Sequence, residues 1–97
     1  MTTEELVLRL CAADGTSGDE TEAARAAAAA FPKCARTAVD ALGNLTAVLN
    51  PDAEPGGVLL DAHLDKIGLA VTGIDGGGFL RVAPCGGVDR RVLPGAP

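Results

Sequence analysis

Gly57-Val58-Leu59-Leu60-Asp61-Ala62-His63-Leu64-Asp65 is the stretch that decides how this chain is read. Its first part is apolar without interruption, the pattern of a buried strand. Its second part turns polar and carries the one histidine of the sequence. A strand that stays apolar until its last residues and then offers Asp-x-His-x-Asp delivers polar groups to a sheet's edge, where open α/β sheets bind ligands. Side chains alternate along a strand, so Asp61, His63 and Asp65 share one side and Ala62 and Leu64 the other. An imidazole with a carboxylate two residues away is a candidate metal ligand beside a group able to orient it. The plain alternative is a hydrogen-bonded strand-end histidine between two solvated aspartates.

Upstream, Thr2-Thr3-Glu4-Glu5 fits a capping box, with Leu6, Leu10 and Ala13 at helical spacing. Asp14-Gly15-Thr16 then breaks the helix. Ser17-Gly18-Asp19-Glu20 reads as a second capping box, before an alanine-dense helix over residues 23–31 that Pro32 ends. So many alanines imply close packing on a neighbour. A Ser-Gly turn at a helix start also has the chemistry to hold an anion.

Strand signals follow. Thr37-Ala38-Val39-Asp40 and Leu45-Thr46-Ala47-Val48-Leu49 flank Leu42-Gly43-Asn44 as a hairpin. Residues 50–57 are a loop by composition. Beyond the histidine, Ile67-Gly68-Leu69-Ala70-Val71-Thr72 and Phe79-Leu80-Arg81-Val82 read as strands. Gly76-Gly77-Gly78 between them lacks the lysine and following helix of a phosphate loop, which leaves a hairpin turn. The expected architecture is α/β, with two N-terminal helices packed on part of a mixed β-sheet that contains residues 57–65.

Composition bounds the function. A chain of 97 residues is one small domain at most, and that size buries about 65% of the unfolded surface. It is 47% hydrophobic and 22% charged, a globular balance with no apolar run long enough to span a membrane. A net charge of −5 without a basic cluster argues against nucleic acid or an anionic membrane as partner. Phe31 and Phe79 are the only aromatics, so there are no stacking platforms for bases or sugars. The N-terminus lacks the basic and apolar segments of a signal peptide, and a cytoplasmic location is the expectation. Cys11, Cys34 and Cys85 form no C-x-x-C pair and read as small buried thiols.

Four motifs in order carry a resemblance. They are Ser17-Gly18-x-Glu20, Asp40-Ala41-Leu42-Gly43-Asn44-Leu45, Ala62-His63-Leu64-Asp65-Lys66-Ile67-Gly68, and Gly78-Phe79-Leu80 followed by Gly86-Gly87-Val88-Asp89. Over nearly its whole length the chain resembles the start of the tetrahedral aminopeptidases, the glutamyl aminopeptidase family, some members of which are labelled cellulase or endoglucanase. The resemblance implies a metal-dependent exopeptidase that removes N-terminal residues from peptides with two divalent metal ions; borderline ions such as zinc or cobalt suit a site mixing imidazole and carboxylate. It also implies an α/β catalytic domain interrupted by a small β domain that drives homo-oligomerisation. On that pattern His63 is a metal ligand, and Asp65 is the catalytic aspartate that orients it.

The resemblance also implies ligands and a general-base glutamate beyond the matched region. Residues 1–97 are accordingly expected to be the amino-terminal part of the catalytic domain, ending near the inserted domain. The chain alone is expected to be inactive and to bind metal weakly or not at all. Two other functions compete. A noncatalytic assembly or interaction fragment would expose strand edges and uncovered helices. A glycoside hydrolase, which the endoglucanase label invites, needs two carboxyl groups across a sugar bond and aromatic sugar platforms; a histidine between two aspartates suits that poorly.

Overall fold

Two helices and two hairpins make up the chain in the computed structural model, which describes residues 1–54 and 56–95. Pro55, inside the loop expected at 50–57, and residues 96 and 97, at the end of the domain expected over 1–97, lie outside the described residues.

Helix α1 spans Thr3–Ala12 and starts with the expected capping box. Thr2 Oγ1 accepts the Glu5 N–H at 3.2 Å, and Glu5 Oε2 accepts the Thr2 N–H at 2.7 Å. Two donors that the helix cannot satisfy itself are thereby paired. Ala13 is extended and ends the helix.

Helix α2 spans Thr21–Ala28. Its expected capping box does not form. The Glu20 carboxylate instead reaches back to the Gly18 N–H at 2.7 Å, and no side chain caps α2. The cause is the tight turn before it, where the Asp19 N–H meets Thr16 O at 2.8 Å and Gly18 takes a φ of 93°. The helix also stops short of Phe31. Ala30 and Phe31 donate to Ala27 O and Ala28 O, three residues back. That tightens the last turn ahead of Pro32, which disfavours helical backbone in the residue before it. Close packing of the alanine face is observed: Ala23 and Ala24 are buried.

Strands β1 (Arg36–Val39) and β2 (Leu45–Val48) pair antiparallel, Arg36 opposite Val48 and Val39 opposite Leu45. Strands β3 (Gly68–Ile74) and β4 (Leu80–Cys85) pair likewise, with a bulge between Val71 and Gly73. Both hairpins close through one device. Asp40 Oδ1 accepts the N–H groups of Leu42 and Asn44, and Asp75 Oδ1 accepts those of Gly77 and Phe79. The fourth residue of each turn has positive φ, Gly43 at 87° and Gly78 at 84°, which favours glycine there. Of Gly76-Gly77-Gly78, only Gly78 carries that requirement.

The α/β class is observed, but the sheet is arranged differently. The described residues hold two separate two-stranded antiparallel sheets, and residues 57–65 pair with neither. Val58, Leu59 and Leu60 are 87%, 90% and 89% exposed, where a buried strand was expected. A strand exists through its ladder. The two hairpins have a local turn to supply the partner strand, and residues 57–65 have none. The first strand-like pairing after them is the parallel bridge between Thr16 and Lys66.

Little of the surface is covered. The accessible area is 8076 Å², against about 5,100 Å² for a compact monomer of this mass. The radius of gyration is 17.6 Å, against about 12.5 Å for a compact domain of this length. The buried fraction is thus about 40% of the unfolded surface, not the expected 65%. The cysteines follow suit: Cys11 and Cys34 are exposed and Cys85 is half-buried, so none is the buried thiol expected.

Candidate functional site

The histidine segment meets the helices at Lys66. Its N–H donates to Gly15 O at 2.8 Å, and its Nζ donates to Cys11 O at 2.9 Å and to Ala13 O. Gly15 is buried beside Ala23, and Ala23 in turn donates its N–H to Asp14 O at 3.0 Å. The turn between α1 and α2 is therefore the platform on which residues 64–66 rest.

His63 and Asp65 come together as the alternation implied, even though no ladder holds them. His63 Nδ1 lies 3.0 Å from Asp65 O and 3.2 Å from Asp65 Oδ1. A carbonyl and an ionised carboxylate only accept, so Nδ1 carries the proton and donates to both. In the neutral ring Nε2 then keeps its lone pair. The ring is 86% exposed and the Asp65 side chain 45%, so nothing in the described chain blocks that nitrogen. A ring that donates from Nδ1 is one that, when neutral, offers Nε2 as an acceptor or ligand.

The pair faces a groove of about 640 Å³ between α2, the β1–β2 hairpin and the segment leading to Asp65. Glu20 and Asp61 line it together with His63 and Asp65, and Phe31 and Leu45 give it an apolar side. Asp61 lines the same groove as His63 but makes no side-chain hydrogen bond among the described residues. Glu20 was legible in sequence as a helix-start residue and as part of the Ser17-Gly18-x-Glu20 motif; its place in the groove depends on how α2 docks. A second concavity of about 570 Å³, lined by Ala24 and Ala28 of α2 with Val39 and Leu42, contains neither His63, Asp61 nor Asp65.

The donor set fits a metal ion in part. His63 could supply one ligand, but among the described residues no three His, Cys, Asp or Glu side chains cluster closely enough to hold an ion. In the Ser17-Gly18 turn the Gly18 N–H, one of the donors an anion would need, is already taken by the Glu20 carboxylate.

Residues 43–97 match the family model described as M42 glutamyl aminopeptidase. A protein of Acetivibrio thermocellus that carries an aminopeptidase name is 42% identical over 77 residues, covering 78% of this chain and 23% of that protein. A lysyl aminopeptidase of Pyrococcus furiosus is 47% identical over 55 residues, or 57% of this chain and 15% of that protein. The chain therefore spans less than a quarter of the length of these curated relatives. No solved structure matches it.

Proposed function

This chain belongs to the M42 glutamyl aminopeptidase family, and from that premise we propose that it is the amino-terminal part of a metal-dependent aminopeptidase acting on peptide N-termini. The observation that carries the reading is the oriented imidazole: His63 hydrogen-bonds Asp65 through Nδ1 and lines a groove shared with Glu20 and Asp61. His63 would ligate one metal ion through Nε2. Asp65 would fix its tautomer and raise its basicity, as carboxylate partners of metal-bound histidines do. A cocatalytic pair of ions, zinc or cobalt, would polarise the scissile carbonyl and activate water. Glu20 and Asp61 keep the groove negative, which suits the ammonium of a peptide N-terminus as well as a cation. The remaining ligands and the general base would come from outside these 97 residues. We further place the complete protein in the cytoplasm as a homo-oligomer.

The test is metal stoichiometry and hydrolysis of an aminoacyl anilide by the complete protein. Metal-dependent turnover that falls with His63→Ala supports the reading; full turnover after exhaustive chelation contradicts it.

One observation favours a second reading for the chain by itself. Its excess accessible area, and Val58, Leu59 and Leu60 standing almost fully exposed, suit a piece that acts only once assembled with further protein. Size-exclusion behaviour with and without a companion chain carrying the remaining ligands tests this.

A further inference from the structure

Three donors of Lys66 converge on the α1–α2 turn, where the chain leaves the histidine segment and enters β3. A lysine normally keeps its ammonium in water. Here the Nζ is folded onto Cys11 O and Ala13 O, at the end of α1. The last carbonyls of a helix lack partners within it and form the negative end of its dipole, so a cation is favoured there. The Lys66 N–H adds the bond to Gly15 O at 2.8 Å.

Residues 57–65 join no ladder among the described residues, so no partner strand holds Asp65 in place. Its nearest fixed point is the residue that follows it. The junction is also sterically tight. A Cβ on Gly15 would stand 2.9 Å from Ala23 Cβ, and one on Gly68 would run into Thr16 Oγ1. A clamp seated in so close a fit transmits position instead of absorbing it.

We propose that Lys66 is a positioning residue for the His63–Asp65 pair. By gripping the C-terminus of α1 it sets where Asp65 presents its carbonyl and Oδ1 to His63 Nδ1, and hence where Nε2 points. The inference rests on the reading of His63 and Asp65 given above.

The experiment uses this chain with ¹⁵N-labelled histidine and reads the ring-nitrogen resonances of its single histidine, alone and during zinc titration. Asp65→Asn marks the signals of a released ring. Lys66→Met keeps the aliphatic stem and removes the ammonium; Lys66→Arg restores charge and donors. The expectation is that Lys66→Met moves the ring signals toward those of Asp65→Asn and weakens zinc binding about 10-fold. Lys66→Arg should recover most of both. A Lys66→Met chain with intact helix signal, wild-type ring resonances and wild-type zinc affinity overturns the proposal while leaving the His63–Asp65 pair standing. An Asp65→Asn chain with unchanged ring signals overturns the pair itself, and the role of Lys66 with it. If Lys66→Met fails to fold, the Arg variant decides: wild-type ring signals support the clamp and released-ring signals refute it. In the unaltered chain, a Lys66 ammonium without coupling to the Cys11 and Ala13 carbonyls refutes it outright.

Discussion

Asp65 takes the Nδ1 proton of His63 twice, through its main-chain carbonyl at 3.0 Å and through Oδ1 at 3.2 Å. The main-chain acceptor survives any change of side chain. Asp65→Asn in the complete protein should therefore weaken metal affinity and turnover by about 10-fold, the low end of the ~10–100-fold typical of groups behind a metal ligand. His63→Ala removes the ligand itself and should abolish one metal position and most activity. Metal stoichiometry and turnover within about twofold of wild type for His63→Ala would remove His63 from the site, on a scale where losing even a supporting group costs ~10-fold.

Gly15→Ala tests the platform under that pair. Gly15 is buried, and an added Cβ would stand 2.9 Å from Ala23 Cβ and 3.7 Å from Leu64 O. Neither neighbour is a flexible side-chain end that can swing aside, so α2 must move. Overpacking of this kind costs about 1–3 kcal/mol. The measurement is the urea midpoint followed by helix signal; an unchanged midpoint would mean the α1–α2 turn is looser than its geometry.

Acid should loosen the β1–β2 turn in a defined window. Hydrogen bonds hold the Asp40 carboxyl below its ordinary value of 3.8, first from the Asn44 side-chain amide, then from the backbone of Asn44, Leu42 and Gly43. A carboxyl depressed in the folded turn binds fewer protons there than in the unfolded chain. Its stabilisation is therefore complete above 3.8 and is lost as pH falls through the lower, folded value. The amide signals of Leu42 and Asn44 should titrate with a midpoint below 3.8, and Asp40→Asn should erase that transition. A midpoint at or above 3.8 would count against the turn as described.

What could be read from sequence follows the range of the interactions. The Thr2–Glu5 box, both hairpins and the His63–Asp65 contact are made within four residues or across a short turn, so the residues that specify them lie side by side. The second capping box failed at equally short range, because the Glu20 carboxylate had a competing donor in Gly18 that the S-x-x-E pattern does not reveal. The strand at residues 57–65 failed for another reason. Its apolar run states a preference, but a ladder needs a partner, and neither hairpin offers it one. Lys66 was invisible as an anchor because its acceptors lie 53 and 55 residues away. A lysine beside an aspartate reads as a solvated charge until α1 is seen ending beneath it.

Alone, these 97 residues should show no peptidase activity and only weak zinc binding. The argument is ligand arithmetic joined to packing. His63 gives one donor and Asp65 orients it, while a catalytic zinc takes three protein ligands. No cluster of three such side chains exists among the described residues. Proton transfer to the leaving amine needs a positioned acid–base group; among the described residues the carboxylates lining the groove with His63 are Asp65, which is engaged by the ring, and Glu20 and Asp61. Packing adds a second obstacle: with Ala23 and Ala24 the only buried apolar side chains among the described residues, the chain has little burial to set against conformational entropy. Self-association at micromolar concentration should follow from the exposed Val58, Leu59 and Leu60. Calorimetry with zinc and cobalt, run beside a leucyl-anilide assay and sedimentation of the same sample, tests all three claims. Tight binding of two ions with measurable turnover by a monomer would show that the chain completes a site from residues assigned here to solvent.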